Sequence, residues 1–395
     1  MFEQEISVSP YNFTREVADK ISSPKKITVY DSTLRDGEQM PGVSFKKNEK
    51  IAIARKLDEI GVLQIEAGFP AVSREEKNAV SAVKREGLNA EILALSRLRK
   101  EDIDVCIDCD IDMILLFIAS SSLHLRYKLR MSEEEVLDRT GVLVQYAKDH
   151  GLKTSFSTED STRTGFGFLK KLNRVAEKNG ADRIGLTDTV GCINPEGMRY
   201  LATKLKQSLH TPFSIHLHND FGLALANALV GVQCGASAVA TTVNGIGERG
   251  GNLSLEEFVV AMKVLYNKDL GIDTTGLKGL SELVAKLSGI KTPKNKPLVG
   301  QYAFSHESGI HVAATLECPM TYEPIPPAFV GNKRKLVLGK HSGKTVVRDR
   351  LEEKGVMATE EEICDILREI KVIGEQKGRV SNREFWEVVK KHVKR

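Results

Sequence analysis

The sequence predicts a (β/α)8 barrel, followed by a linker and a small, mainly helical C-terminal subdomain. Three observations predict it. Short, β-rich apolar runs recur eight times in about 240 residues. Amphipathic stretches with helical period separate them. Dense polar segments follow five of the eight runs, always at the same end. Strict strand–helix alternation requires a parallel sheet, and eight repeats suit a closed barrel better than a doubly wound sheet, the alternative that the pattern leaves open.

The expected strands, in order, are Ile27–Leu34, Leu63–Ala67, Ile92–Leu95, Met113–Ile118, Lys153–Ser157, Arg183–Leu186, Phe213–Leu217 and Ala238–Val243. Helical stretches such as Lys46–Ile60, Ser132–His150 and Pro195–Leu209 lie between them. In Ser132–His150 the apolar residues Val136, Leu137, Leu143, Val144 and Ala147 recur with helical period, and Ser132 with Glu135 reads as a capping box. After about residue 266 the rhythm stops. The expected organisation is a leader of unclear structure (1–24), the barrel (25–266), a helical and extended linker with several prolines (267–331) and a charged helical subdomain (332–395).

Composition excludes several classes. The 395 residues are 41% hydrophobic and 28% charged, which is ordinary for a folded globular chain. A net charge of +4 gives no warrant for a nucleic-acid or membrane surface. The longest apolar run, Met113–Ala119, is far short of the roughly 20 residues that span a bilayer. The N-terminus shows no basic segment followed by an apolar one, and the six cysteines are scattered, so a reducing cytoplasm is expected. Cys106 and Cys109 form a lone CxxC in a helical pattern, with no second pair, and read as chance spacing.

Barrel enzymes work where the strands end. The first strand ends in Asp31-Ser-Thr-Leu-Arg-Asp-Gly-Glu-Gln39, the fifth in Ser157-Thr-Glu-Asp-Ser-Thr-Arg163, and the sixth in Asp188-Thr189. The seventh carries His216-Leu-His218-Asn-Asp220, and the eighth runs into Asn244-Gly-Ile-Gly-Glu-Arg-Gly-Gly-Asn252. His216 and His218 are two apart on a strand and share a face, so they make a natural pair of metal ligands; Asp36 or Asp31 would complete the set. A pair of core histidines held by hydrogen bonds is the alternative, but His-x-His at a strand end beside other acids favours metal ligation. Arg35 could clamp a substrate carboxylate or form a structural Arg–Glu pair. Gly245–Gly250 matches GxGxxG, but it follows the last strand and no acid lies near residue 265, so it reads as a tight loop bringing polar atoms to the site. Lys333, Arg334, Lys335, Lys340, His341 and Lys344 form a basic cluster, either a solvated face or a phosphate contact; without interleaved aromatics it does not argue for nucleic acid.

DSTLRDGEQMPGVSF, HLHND and NGIGERGGN, supported by FSHESGIHV and LGKHSGK, together resemble the isopropylmalate, homocitrate and citramalate synthase family over residues 25–390. HMG-CoA lyase and carboxyltransferase barrels share a weaker version of the first and third motifs. The resemblance implies a metal-dependent Claisen condensation of acetyl-CoA with a 2-oxo acid, followed by thioester hydrolysis. It assigns Asp36, His216, His218 and Asn252 to a divalent metal, Mg²⁺, Mn²⁺ or Zn²⁺. It places Arg35, Gln39 and Thr189 on the oxo acid, and His124 and Arg163 at its variable end. It makes Glu159 the active-site glutamate. It also makes His311 and Tyr322 catalytic residues supplied by the partner subunit of a domain-crossed homodimer, with His311 as the base, oriented by Glu159 or Tyr322.

The chain stops without room for the regulatory domain of about a hundred residues that isopropylmalate synthases carry, and so resembles the short homocitrate synthases. SSSLHLRYKL and TYEPIPPAFVGNKRKLVLGKHSGK lean the same way, towards the nitrogen-fixation and methanogen types; the latter serves coenzyme B formation and extends 2-oxoglutarate and longer homologues. The expected activity is therefore homocitrate synthase, with isopropylmalate and citramalate synthase next. A second substrate carboxylate needs a cation, for which Arg163, His124 and, less directly, Arg97 are available. An HMG-CoA lyase-like cleavage would want a catalytic cysteine in a glycine-rich loop, and Cys234 falls on a helix instead.

Overall fold

In a computed structural model, which describes residues 5–18 and 23–393, eight parallel strands close into a barrel in chain order. They are β1 (Thr28–Asp31), β2 (Gln64–Gly68), β3 (Glu91–Arg97), β4 (Met113–Ala119), β5 (Lys153–Glu159), β6 (Arg183–Asp188), β7 (Phe213–Leu217) and β8 (Ala238–Thr241). The barrel closes where Thr28–Asp31 pair in register with Ala238–Thr241. Every expected strand is present, and the doubly wound alternative is excluded. The ends differ for local reasons. β1 stops at Asp31, not Leu34, because the carbonyl of Ser32 accepts the N–H groups of Arg35, Asp36 and Gly37, which curls the chain into a turn. β5 and β6 run two residues further than expected, so Glu159 and Asp188 are strand residues.

Alternate side chains point into the barrel. Tyr30, Leu93, Met113, Leu115, Ala238 and Ala240 pack there as one buried cluster. The helices outside begin where their sequences say. Ser132 and Glu135 close a capping box on Glu133–Asp149, and Asn194 caps Pro195–Ser208, whose proline takes the first helical position. Lys50, on the helix Lys47–Glu59, is fully buried. Its ammonium donates to the carbonyls of Leu34 (3.0 Å) and Ala67 (3.3 Å) and to Glu76 (2.6 Å), tying the loop after β1 to the end of β2. A buried charge persists only when its donors are met in this way.

The chain divides into two units, Pro10–Thr292 and Met1–Ser9 with Pro293–Arg395. The division between these compact units falls at 292/293. The helix Leu277–Ser288 belongs with the barrel, and the proline-rich stretch belongs with the C-terminal unit. That stretch is not simply extended. It holds the helix Gly309–Glu317 and the strand β9 (Ser305–His306), which pairs in parallel with β10 (Lys335–Leu336). Val312 explains the helix: it is fully buried in one core with Val346, Val347, Ile366, Ile370 and Phe385 from the helices Lys344–Glu352, Glu360–Lys377 and Asn382–His392. Part of the expected leader lies outside the described residues; the rest includes a 3-10 turn at Pro10–Phe13 and a short helix at Arg15–Ala18. No helix among the described residues is long and apolar enough to cross a membrane.

Candidate active site

The turn after β1 carries Arg35 and Asp36 over the C-terminal mouth of the barrel, where β7 delivers His216 and His218. The histidine Nε2 atoms are 3.3 Å apart, and one oxygen of Asp36 lies 3.2 Å from His216 and 3.7 Å from His218. The three residues offer ligand atoms within 4.8 Å of one another. Asn252 joins them from the loop after β8, its amide donating to the other Asp36 oxygen at 2.8 Å and to the Ile246 carbonyl at 3.2 Å. The loop approaches this closely because residue 247 is glycine: a Cβ there would stand 2.1 Å from the Asn252 amide nitrogen.

Electrostatics prepare this cluster for a cation. Burial pushes the Asp36 carboxyl up, but the Arg35 guanidinium and the two imidazoles outweigh it and hold it well below the usual carboxylate range. Burial, reinforced by neighbouring His216, lowers His218 to about 4, so it is neutral near pH 7 and can offer a lone pair. The Asn252 side-chain oxygen and both histidine Nδ1 atoms are buried without a hydrogen-bond partner. Two imidazole nitrogens aimed at one another, a carboxylate and an orphaned amide oxygen together fit a divalent ion. Asp31, the alternative carboxylate, is not part of this set: it accepts from the Thr33 N–H at 2.9 Å, and burial raises it to about 7.

Arg35 combines both readings made of it. Its Nε donates to Glu66 at 2.7 Å and one terminal nitrogen to Asp36 at 2.8 Å, yet it also borders the cavity. Glu66 is fully buried in β2 and takes a further hydrogen bond from the Ser32 hydroxyl. The cavity, about 260 Å³, is lined by Arg35, Asp36, Gln39, Glu159, Thr189, His216 and His218 among others. Apolar walls come from Phe69, Leu95, Leu115 and Phe117. The Thr189 hydroxyl accepts the Asp160 N–H at 2.8 Å. Glu159 accepts from the Lys128 ammonium at 2.5 Å, and its second oxygen is buried without a partner.

Other expected residues fall elsewhere. Arg163 turns onto Asp160, its Nε 2.8 and 3.1 Å from the two oxygens, and does not line the cavity. His124 lies 3.5 Å from Glu159 and 3.8 Å from Asp160 and is not among the residues that line the cavity. Arg97 grips Asp102 at 2.6 and 3.1 Å. His311 and Tyr322 belong to the C-terminal unit, where their rings stack with centroids 4.1 Å apart and both are exposed; Glu159 belongs to the barrel unit. Cys106 and Cys109 are buried, and burial pushes both thiols up, as expected of packing residues. In the basic cluster Arg334 is committed to Glu323 at 2.8 and 2.7 Å. Sequence reading missed Glu66 and Lys128. A glutamate inside the otherwise apolar run Leu63–Ala67 was the available signal for the first. Lys128, one helical turn beyond His124, had no comparable signal.

Fold and site together define a (β/α)8 barrel protein with Asp36, His216 and His218 grouped at the C-terminal mouth so that they could hold a metal ion. Residues 26–284 match the HMGL-like family model, and residues 298–378 match the model described as homocitrate synthase post-HMGL domain-like. The homocitrate synthase AksA of Methanothermobacter thermautotrophicus is 51% identical over 384 residues, 97% of either chain. A probable 2-isopropylmalate synthase of Methanopyrus kandleri is 49% identical over 353 residues, 89% of this chain and 71% of that one. The Bacillus subtilis HMG-CoA lyase structure, at 21% identity, shares the fold with a TM-score of 0.63 over 69% of this chain and 97% of its own. The chain belongs to the HMGL-like family, in its group of homocitrate, isopropylmalate and citramalate synthases.

Proposed function

We propose that this enzyme is a homocitrate synthase: it condenses acetyl-CoA with 2-oxoglutarate, and with longer 2-oxo diacids, and hydrolyses the thioester to release CoA. The observation that carries the reading is identity of 51% to a homocitrate synthase AksA over nearly the whole length of both chains, together with the ligand set at the barrel mouth. Coenzyme B formation, which begins with this chemistry, is the corresponding pathway.

Asp36, His216, His218 and the Asn252 side-chain oxygen would hold the divalent ion, which supplies Lewis-acid polarisation of the oxo acid's keto group. Arg35 fixes the adjacent carboxylate through a guanidinium already oriented by Glu66, and Gln39 and Thr189, which also line the cavity, complete the oxo acid site. His311 takes a proton from the acetyl methyl group. The resulting carbanion attacks the keto carbon, the keto oxygen gains a proton, and water then cleaves the thioester. Tyr322, stacked on His311, orients the imidazole. Glu159 offers its free oxygen to the reacting acetyl group. His311 and Tyr322 are supplied across a homodimer, consistent with their exposure beside Ile310, which is 79% exposed. Scattered free cysteines fit a cytoplasmic setting.

Thiol release from acetyl-CoA by metal-loaded protein tests the substrate. With 2-oxoglutarate, 2-oxoadipate, 2-oxoisovalerate and pyruvate compared side by side, the first two are expected to give the highest kcat/KM. Preference for 2-oxoisovalerate or pyruvate would move the assignment to isopropylmalate or citramalate synthase.

A further inference from the structure

Condensing a diacid leaves one problem unsolved by the residues first expected to solve it. The distal carboxylate enters a cavity whose lining already holds Asp36, Glu159 and Glu248. It needs a cation there; Arg163 and Arg97 are hydrogen-bonded to Asp160 and Asp102, and His124, 3.5 Å from Glu159 and 3.8 Å from Asp160, is likewise not among the lining residues. The cationic side chains that do line the cavity are Arg35 and Lys128. Arg35 is fixed between Glu66 and Asp36, at the end where the keto acid group sits.

Topology separates the two cations. In a closed barrel of eight strands in chain order, β8 faces β4 across the axis and β1 faces β5. The cation-type cluster comes from the ends of β1, β7 and β8. Lys128 comes from the segment after β4, in the turn Leu125–Leu129. It therefore stands across the mouth from Asp36, His216 and Asn252, with apolar Leu115 and Phe117 of β4 beneath it. A linear substrate whose keto acid end sits on the cluster points its methylene chain along those apolar walls and its far end towards Lys128.

We propose that Lys128 is a specificity-determining residue, the cation that receives the distal carboxylate of the 2-oxo diacid. An ammonium has three donors. One is used on Glu159 at 2.5 Å, which holds the side chain at the cavity without exhausting it. Its flexible stem also suits diacids of differing length better than a rigid guanidinium fork. This inference rests on the diacid reading of the function.

The test compares 2-oxoglutarate with 2-oxopentanoate, which has the same chain length and a methyl group in place of the distal carboxylate. Lys128→Met is expected to raise KM for 2-oxoglutarate about tenfold or more. kcat should change less, and the preference over 2-oxopentanoate should fall by a similar factor. Lys128→Arg should recover most of that preference. Equal losses with both acids would mean that Lys128 acts through Glu159, and a rise confined to the KM for acetyl-CoA would make it a cofactor contact. Either result overturns the proposal while leaving the diacid reading intact. Wild-type enzyme that shows no preference for 2-oxoglutarate over 2-oxopentanoate would overturn the diacid reading itself, and the role of Lys128 with it.

Discussion

His218 and Asp36 carry opposite preparations for one task. Burial keeps the imidazole neutral, and surrounding positive charge keeps the carboxylate ionised, so both present lone pairs at neutral pH. His218→Ala should weaken Mn²⁺ binding, measured by titration calorimetry, by at least about tenfold, because first ligands matter no less than the groups that orient them. Asp31 makes a separate prediction. Burial raises its folded pKa to about 7, against an unfolded value near 3.8. Between those values the folded state holds the proton more tightly, so this group's contribution to stability is present below about pH 4 and is lost as pH rises towards 7. Asp31→Asn imitates the protonated form and should raise the thermal midpoint at pH 8 more than at pH 5. An equal shift at both pH values would refute that account. From residue types and spacing alone either of these two neighbouring acids could complete the histidine pair, and only the family resemblance singled out Asp36. What separates them is depth: Asp31 is still a strand residue, bonded to Thr33, whereas Asp36 has passed the turn at Ser32.

Among the elements, the strands were legible because each is a short apolar run bounded by helical pattern, and the polar strand ends marked the working face. Their exact limits were not legible, since the turn at Ser32 is made by backbone donors that any sequence carries. The helix Gly309–Glu317 was obscured by prolines on both sides, Pro293 and Pro297 before it and Pro319 after it. Its stability comes from Val312 reaching a distant core, and such tertiary packing leaves little trace in local sequence. The loop after β8 shows the reverse. Its glycines suggested close approach, and Gly247 is where that approach happens. A methyl group there would push on the Asn252 amide and, at 3.0 Å, on Asp36. Gly247→Ala should therefore lower Mn²⁺ affinity by about tenfold, the scale of orienting-group effects, with the far-ultraviolet circular dichroism unchanged. Unaltered affinity would show that the loop tolerates the displacement.

At the scale of the whole molecule, the account assigns the chemistry to two units of the chain. In the proposed mechanism the cation and oxo acid residues lie in the barrel unit, whereas His311 and Tyr322 lie in the C-terminal unit. His311→Ala should reduce turnover by at least about a hundredfold while binding of the oxo acid, followed by calorimetry, persists. If the two units meet across a homodimer, mixing Asp36→Asn chains with His311→Ala chains should restore about a quarter of wild-type activity, since half of random dimers carry one intact site out of two. Sites completed within a single chain would give no recovery. The family motifs made both this division and the crossing between subunits available as expectations, although a spacing pattern by itself records no inter-subunit geometry. The central claim is carbon–carbon bond formation between an acetyl group and a 2-oxo diacid. It is tested most directly by supplying acetyl-CoA labelled with carbon-13 in both acetyl carbons, with 2-oxoglutarate, and weighing the product by mass spectrometry. The account predicts a tricarboxylic acid heavier by both labelled carbons, formed together with free CoA. Release of CoA with the label recovered only as acetate would contradict it.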